Sequence, residues 1–391
     1  MKNIIFFLVL IITFNCNAQI VYFGSEWIKA NILSTNTTTN LRAKDLNGNW
    51  LKIDQNDDGE IQVSEALNVS YYLDANALSV SSYEGINSFK NLETLIFAYN
   101  QTPVSLDLSG LNNLKKLNCS SNSLTSINFN GCNSLEEIYL DQNYLTILDL
   151  SEISTLKHLD CQNNYLTSLV LPTSSILINL KCFNNNLNNL VLTNQTHLEN
   201  LYCGNNFLTN LNLSNCINLK LLQCYQNNLN NLDISNSPLL NNIFCSYNPN
   251  LKFLNINNGF NWLPNTNYVG NNLSSNIIQL CTSSSSVVNL QNYYNSLGYS
   301  STSFISNCSS LGINSNEITD HKIMFYPNPT KDKIIFNENV NFIYVYSSSG
   351  FLVKQSEITS DELDLSNLNS GIYILKMQTE SGIRIDKLIK E

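Results

Sequence analysis

One apolar pattern returns every 21 residues through the middle of this chain, and that period limits the possible folds more than any other feature. Leu114-Lys-Lys-Leu117-Asn-Cys119-Ser-Ser-Asn122-Ser-Leu124-Thr-Ser-Ile127-Asn-Phe129 recurs, class for class, from Leu135, Leu156, Leu177, Leu198, Leu219 and Leu240. Its marker asparagines are Asn100, Asn122, Asn143, Asn164, Asn185, Asn206, Asn227 and Asn248, spaced by 22 residues once and then by 21 six times. Alternate residues such as Leu117 and Cys119 point to one face of a short strand, and Lys116, Asn118 and Ser120 to the other. A single repeat cannot bury its apolar face alone, so the copies must stack into a parallel sheet with a continuous core.

The pattern L-x-x-L-x-C-x-x-N-x-L-x-x-L-x-L resembles the leucine-rich repeat, and its 21-residue period resembles the short bacterial versions. The resemblance implies a leucine-rich repeat solenoid with a curved parallel β-sheet over residues 92–256. In-register stacking predicts two ladders. The marker asparagines turn inward, each amide pairing backbone groups that a tight turn would otherwise leave unpaired. Cys119, Cys161, Cys182, Cys203, Cys224 and Cys245 form the second ladder. Zinc ligands are spaced two to four residues apart within a pair, and Phe97 and Leu140 occupy the same slot, so these thiols read as small packing hydrophobes. Cys132 and Cys216 lie in the connecting arcs, with no pairing assigned.

Residues 19–91 precede the repeats as a cap. Phe23 to Leu33 has the spacing of a short amphipathic helix, with Trp27, Ile28 and Leu33 expected to cover the first coil. Asp54-Gln-Asn56-Asp-Asp58-Gly59-Glu60-Ile-Gln62-Val-Ser-Glu65 fits the twelve-residue EF-hand calcium loop without a mismatch. Calcium takes six to eight oxygens. Asp54, Asn56 and Asp58 supply one each, Glu60 its carbonyl, Gln62 a side-chain or water-mediated ligand, and Glu65 two, with Gly59 at the sharp turn. The loop stands alone, because the preceding Leu46–Ile53 stretch is a poor helix. A structural Ca2+ at the solenoid's entrance is the expectation; an acidic turn that has lost its metal is the alternative.

Periodicity fades near Asn257, and residues 257–311 read as the far cap and linker. Cys281 and Cys308 flank a helical pattern from Val287 to Leu297 and are the disulfide candidates of an exported chain. Beyond them the character changes to alternating strands punctuated by Gly350, Gly371 and Gly382, which predicts a small all-β sandwich. Tyr326-Pro327-Asn328-Pro329-Thr330, Ile343–Tyr346 with Gly350, Leu368-Asn-Ser-Gly371-Ile-Tyr373 and the terminal Lys387-Leu-Ile-Lys390 occur in that order. Together, over residues 320–391, they resemble the type A C-terminal sorting domain of type IX secretion cargo in Bacteroidota. That resemblance implies recognition by the outer-membrane secretion machinery, then release or attachment at the cell surface.

An export route also fits the start of the chain. Lys2, the apolar stretch Ile4–Phe14 and Cys16-Asn17-Ala18 read as a cleaved secretory leader over residues 1–18. The apolar run falls short of the ~20 residues a membrane helix needs, and Thr13-Phe14-Asn15 poorly resembles a lipobox.

Composition narrows the function. Lys plus Arg number 20 against 30 Asp plus Glu, for a net charge of −10, which argues against a basic nucleic-acid binder. Only 13% of residues are charged while 68 are Asn, so amides solvate much of the surface; Asn also tolerates the left-handed backbone of tight turns. His158, His197 and His321 fall in no metal or nucleophile motif, and no nucleophile accompanies His158 and Asp160, so no enzyme is expected. The outward columns of the sheet are the binding candidates. One runs Ile96, Asn118, Tyr139, Asp160, Lys181, Tyr202, Gln223 and Phe244. The other, two residues on, runs Ala98, Ser120, Asp141, Gln162, Phe183, Gly204, Tyr225 and Ser246, with Tyr99 and Tyr247 at the edge. Phe183, Tyr202, Tyr225, Phe244 and Tyr247 gather toward the C-terminal half, the kind of residues that anchor partners. A protein or glycan at this concave face is the expected ligand; the alternative is a polysaccharide-binding accessory for nutrient acquisition.

Overall fold

The structure, a computed structural model, describes residues 19–391 apart from 75–81, 100–104, 174–175, 263–276, 297–300, 307, 309–324, 327–328, 337–339, 348–351, 359–360 and 380–381. The leader, Asn100, Pro327, Asn328 and Gly350 therefore lie outside the described residues. The chain divides into two units, residues 1–313 and 314–391.

The first unit is a parallel β-solenoid. Its principal sheet runs in the order Ala43–Asp45, Val69–Leu73, Thr94–Ile96, Lys116–Asn118, Glu137–Tyr139, His158–Asp160, Asn179–Lys181, Asn200–Tyr202, Leu221–Gln223 and Asn242–Phe244. From Lys116 onward each strand pairs in register with the residue 21 places further on, as in Leu180 beside Leu201. Ala43–Asp45 alone runs antiparallel, closing the edge against Val69–Leu73. The inward residues Leu117, Ile138, Leu159, Leu180, Leu201, Leu222 and Ile243 are buried in one continuous core. Burial of each such side chain contributes about 1.5–3 kcal/mol.

The cap helix spans Glu26–Leu33, with Ile28 and Ile32 fully buried. Trp27, expected to help cover the first coil, is 56% exposed; it falls on the opposite side of the helix from Ile28 and Ile32, which at i and i+4 share one face. At the far end the coils outlast the sequence period. Asn231–Asp233, Phe253–Asn255, Gln279–Cys281 and Ser303–Ile305 form a second parallel sheet, with the helix Ser284–Ser296 inserted before the last strand. The spacing drifts here to 22, 26 and 24 residues between the paired positions Leu232, Leu254, Leu280 and Phe304, and this drift conceals the continuation from a fixed-period reading. Cys281 and Cys308 are joined by a disulfide, with Cα atoms 5.4 Å apart.

The second unit is all β. One sheet contains Phe325–Tyr326, Lys333–Phe336 and Glu362–Asp364; the other contains Leu352–Glu357, Val340–Ser347, Gly371–Thr379 and Gly382–Lys390. Phe325, Ile334, Leu363, Ile343, Leu375 and Leu388 from the two sheets share one core. The two- and three-residue strands Phe325–Tyr326 and Glu362–Asp364 were too short to show an alternating pattern in the sequence.

Candidate functional site

Parallel stacking at 21-residue register lines the outward side chains into columns, and the sheet's outward face divides into two halves. Toward the N-terminal end it is charged. Lys116 pairs with Glu137 at 2.7 Å, Tyr139 donates to Glu137 at 3.1 Å, and Lys116 stands 5.4 Å over the Tyr139 ring. Asp160 meets Lys181 at 3.3 Å. Burial pushes the Asp160 carboxyl above the usual range; Lys181 opposes that shift and Asp141 adds to it. His158 accepts a hydrogen bond from Asn179, which in turn accepts from Asn200. His158 and Asp160 thus hold separate partners.

Toward the C-terminal end the face is aromatic and largely neutral. Phe183, Tyr202, Tyr225 and Phe244 are half-buried at successive outward positions. The Tyr225 ring lies across Gly204: a Cβ at that position would stand 2.9 Å from the ring. Glycine here makes space for an aromatic. Tyr247 belongs elsewhere. It takes a left-handed backbone, φ 56°, and occupies the turn column Tyr99, Ser121, Gln142, Asn163, Asn184, Asn205 and Gln226, all with φ between 51° and 63°. Its ring is 76% exposed at the edge.

That turn column borders the buried marker asparagines. Asn164 donates to the carbonyls of Leu140, Cys161 and Gln162 at 3.0–3.2 Å and accepts from the Leu145 N–H at 3.0 Å. Asn143, Asn185, Asn206, Asn227 and Asn248 repeat the arrangement. One residue after each marker comes another exposed column, in which Tyr144 and Tyr165 stack at 5.9 Å and 16°. The sequence reading did not single out this pair, although position and residue type were both visible one step past the marker.

The loop Asp54–Glu65 turns sharply at its sixth position. Gly59 has φ +80° and Asp57 φ +61°. Glu65 accepts from the Gln55 and Gln62 N–H groups at 2.8 and 3.0 Å, joining the two ends of the loop. Asp54 is 5% exposed; its Oδ2 accepts from Gly59 at 3.2 Å while its Oδ1 is buried without a partner. Asp58 accepts from the Glu60 N–H, Asn56 and Gln62, and the first of these chiefly holds its carboxyl below the ordinary value. The Glu60 side chain pairs with Lys29 at 2.7 Å, leaving its carbonyl for the loop, and Asp57 pairs with Lys52. Among the described residues no group of three or more His, Cys, Asp or Glu is arranged to hold a metal. Two of this loop's six donors, Asn56 and Gln62, are not of those types, and their carboxamides turn N–H toward Asp58. Rotating those two amides by half a turn presents their oxygens. An all-oxygen set around an orphaned buried carboxylate oxygen fits calcium chemistry.

In the second unit, elements far apart in sequence meet. Thr330 N–H donates to the Ile389 carbonyl at 2.9 Å, and Glu391 N–H returns to Thr330 at 2.8 Å. Pro329 is exposed, Lys390 is buried, Lys387 and Gly371 lie on paired strands, and Tyr373 donates to the Asn369 carbonyl at 2.9 Å. The eight free cysteines among the described residues are all buried. Burial pushes the Cys182 and Cys216 thiols up to about 12 and Cys132 to about 11.

Residues 324–391 match the family described as the secretion system C-terminal sorting domain. Among curated proteins no sequence matches the chain. Among solved structures, the chain is similar to the functional domain of InlJ from Listeria monocytogenes, described as including a cysteine ladder: 16% identity, 85% of this chain and 93% of that one, TM-score 0.34. It is also similar to YopM of Yersinia pestis, at 24% identity over 53% of this chain and 58% of that one, TM-score 0.36. Internalin C2 of Listeria monocytogenes gives 21% identity, 60% and 85% coverage, and TM-score 0.33. The sorting domain marks a secreted or cell-surface protein. No helix among the described residues is long and apolar enough to cross a membrane.

Proposed function

We propose that this exported solenoid is a non-catalytic binding protein that engages a protein partner through the outward face of its principal sheet. The observation that carries this reading is the sequence of half-buried Phe183, Tyr202, Tyr225 and Phe244 on adjacent coils, beside a half bearing both signs of charge at Lys116, Glu137, Asp160 and Lys181. Aromatic anchors in a polar surround are the arrangement in which a few residues supply most of a partner's binding energy. Replacing Tyr202, Tyr225 and Phe244 with Ala in the exported protein removes partner binding and leaves the solenoid folded. Undiminished binding moves the site off this face.

Two supporting roles belong to the same reading. Ca2+ held by Asp54, Asn56, Asp58, Gln62, Glu65 and the Glu60 carbonyl braces the cap, since Val21 and Gln19 pair through the backbone with Ile61 and Val63 of this loop. Calorimetry on the leaderless protein reads a binding heat at millimolar calcium; its absence refutes the metal. The terminal unit, through its Thr330 and Lys387–Lys390 elements, is read by the type IX secretion machinery. Deleting residues 321–391 traps the protein in the periplasm, and unchanged surface display refutes that route.

A further inference from the structure

We propose that the turn edge of the solenoid carries a second binding site, for one or two neutral sugar units of a glycan, centred on Tyr144, Tyr165, Gln142 and Asn163. A cleft of about 340 Å³ opens there, lined by Asn122, Gln142, Asn143, Tyr144, Asn163, Asn164 and Tyr165. That volume falls at the lower end of the ~300–1,000 Å³ typical of small-ligand sites.

The chemistry of the lining selects the ligand. Tyr144 and Tyr165 are each about half exposed and stack at 16°; their backbone N–H groups bond to Leu124 and Leu145 of the preceding coils at 2.8 and 2.9 Å, which fixes the rings at the coil spacing. The rings give flat apolar area at little cost in conformational freedom. The buried amides of Asn122, Asn143 and Asn164 are committed to the backbone. Gln142 and Asn163 are different. Their oxygens accept from Ser121 and Asn184 at 2.8 and 2.7 Å, while their N–H₂ groups have no acceptor among the described residues. The two phenol groups are likewise without protein partners among the described residues.

The lining contains no carboxylate, amine or guanidinium. It offers aromatic faces, spare amide donors and hydroxyls, which suit the apolar C–H face and the hydroxyl rim of an uncharged pyranose. An acidic or basic ligand would find no counter-charge here, whereas the sheet's outward face carries both signs. The neighbouring positions in this column, Ser123 before Tyr144 and Asn186 after Tyr165, are small and polar, leaving the outer ring faces open along the edge.

The test uses the leaderless full-length protein and a panel of neutral gluco-, manno-, galacto- and xylo-oligosaccharides, with uronic-acid and sulfated oligosaccharides as the charged arm. At least one neutral oligosaccharide binds; the double variant Tyr144→Ala, Tyr165→Ala weakens it about tenfold or more, and the Tyr→Phe pair retains most of the affinity. The Tyr202, Tyr225 and Phe244 substitutions leave sugar binding unchanged, so failure at one surface is distinguishable from failure at the other. Circular dichroism confirms that the double alanine variant folds. No binding to any neutral sugar, preference for the charged arm, or affinity unchanged in the double alanine variant overturns the proposal.

Discussion

Asn164 spends its carboxamide on four backbone groups in two coils, whereas Asn163, the residue before it, takes a left-handed turn and its side chain, among the described residues, accepts from the Asn184 amide near the surface. The residue type is the same, and so is the 21-residue column structure. The difference lies in what water can replace. The Leu145 N–H that Asn164 accepts from is buried, so losing the amide leaves that donor unpaired, at roughly 1–3 kcal/mol. The groups near Asn163 are wet, and the position needs Asn chiefly because Asn tolerates positive φ. Inward columns build the solenoid; outward columns are free to bind.

The largest expected effect comes from titrating the inward cysteines. Burial holds Cys119, Cys161, Cys203 and Cys224 well above the ordinary 9.0 and lifts Cys182 to about 12, so the fold holds the neutral thiol. Stability is fully present below pH ~9 and falls as the pH climbs toward 12, by about 1.4 kcal/mol per pH unit for each such thiol. Urea midpoints at pH 8 and pH 10.5 measure the loss, and a flat profile contradicts it. Next comes Asn164→Ala, which leaves the buried Leu145 N–H unpaired while Asn143 and Asn185 still donate to the Leu140 and Cys161 carbonyls, and costs about 1–3 kcal/mol in equilibrium unfolding. A cost below about 1 kcal/mol would erase the distinction between the columns. At the small end, Asn184→Ala loses about 1 kcal/mol for its left-handed backbone, and Asn184→Gly changes stability by less than about 0.5 kcal/mol.

The sequence disclosed what the period controls. Leu117, Cys119 and Asn122 announced their inward direction because their residue class returns 21 residues later, at Ile138, Leu140 and Asn143, and Phe183, Tyr202, Tyr225 and Phe244 followed by register. What escaped had no period or lay outside it. Gln279–Cys281 and Ser303–Ile305 extend the stack with insertions that no fixed interval detects. Tyr144 and Tyr165 are two members of a column that in the sequence also holds Gln101, Ser123, Asn186, Phe207, Asn228 and Pro249, so their stacking becomes visible only with the rings in place. Trp27 shows the reverse case: as an apolar residue in an amphipathic segment it reads as inward by type alone, and the helix phase turns it out.

The claim that the outward face binds while the inward columns support is tested most directly by photo-cross-linking in the producing cells. A photoreactive residue at Gln223, on the outward face, is compared with one at Val191, an exposed position away from that sheet. The expected result is a specific protein adduct from position 223 that disappears in the Tyr202, Tyr225 and Phe244 alanine variant, and none from position 191. Adducts of equal yield from both positions, or an adduct at 223 indifferent to those substitutions, would contradict it.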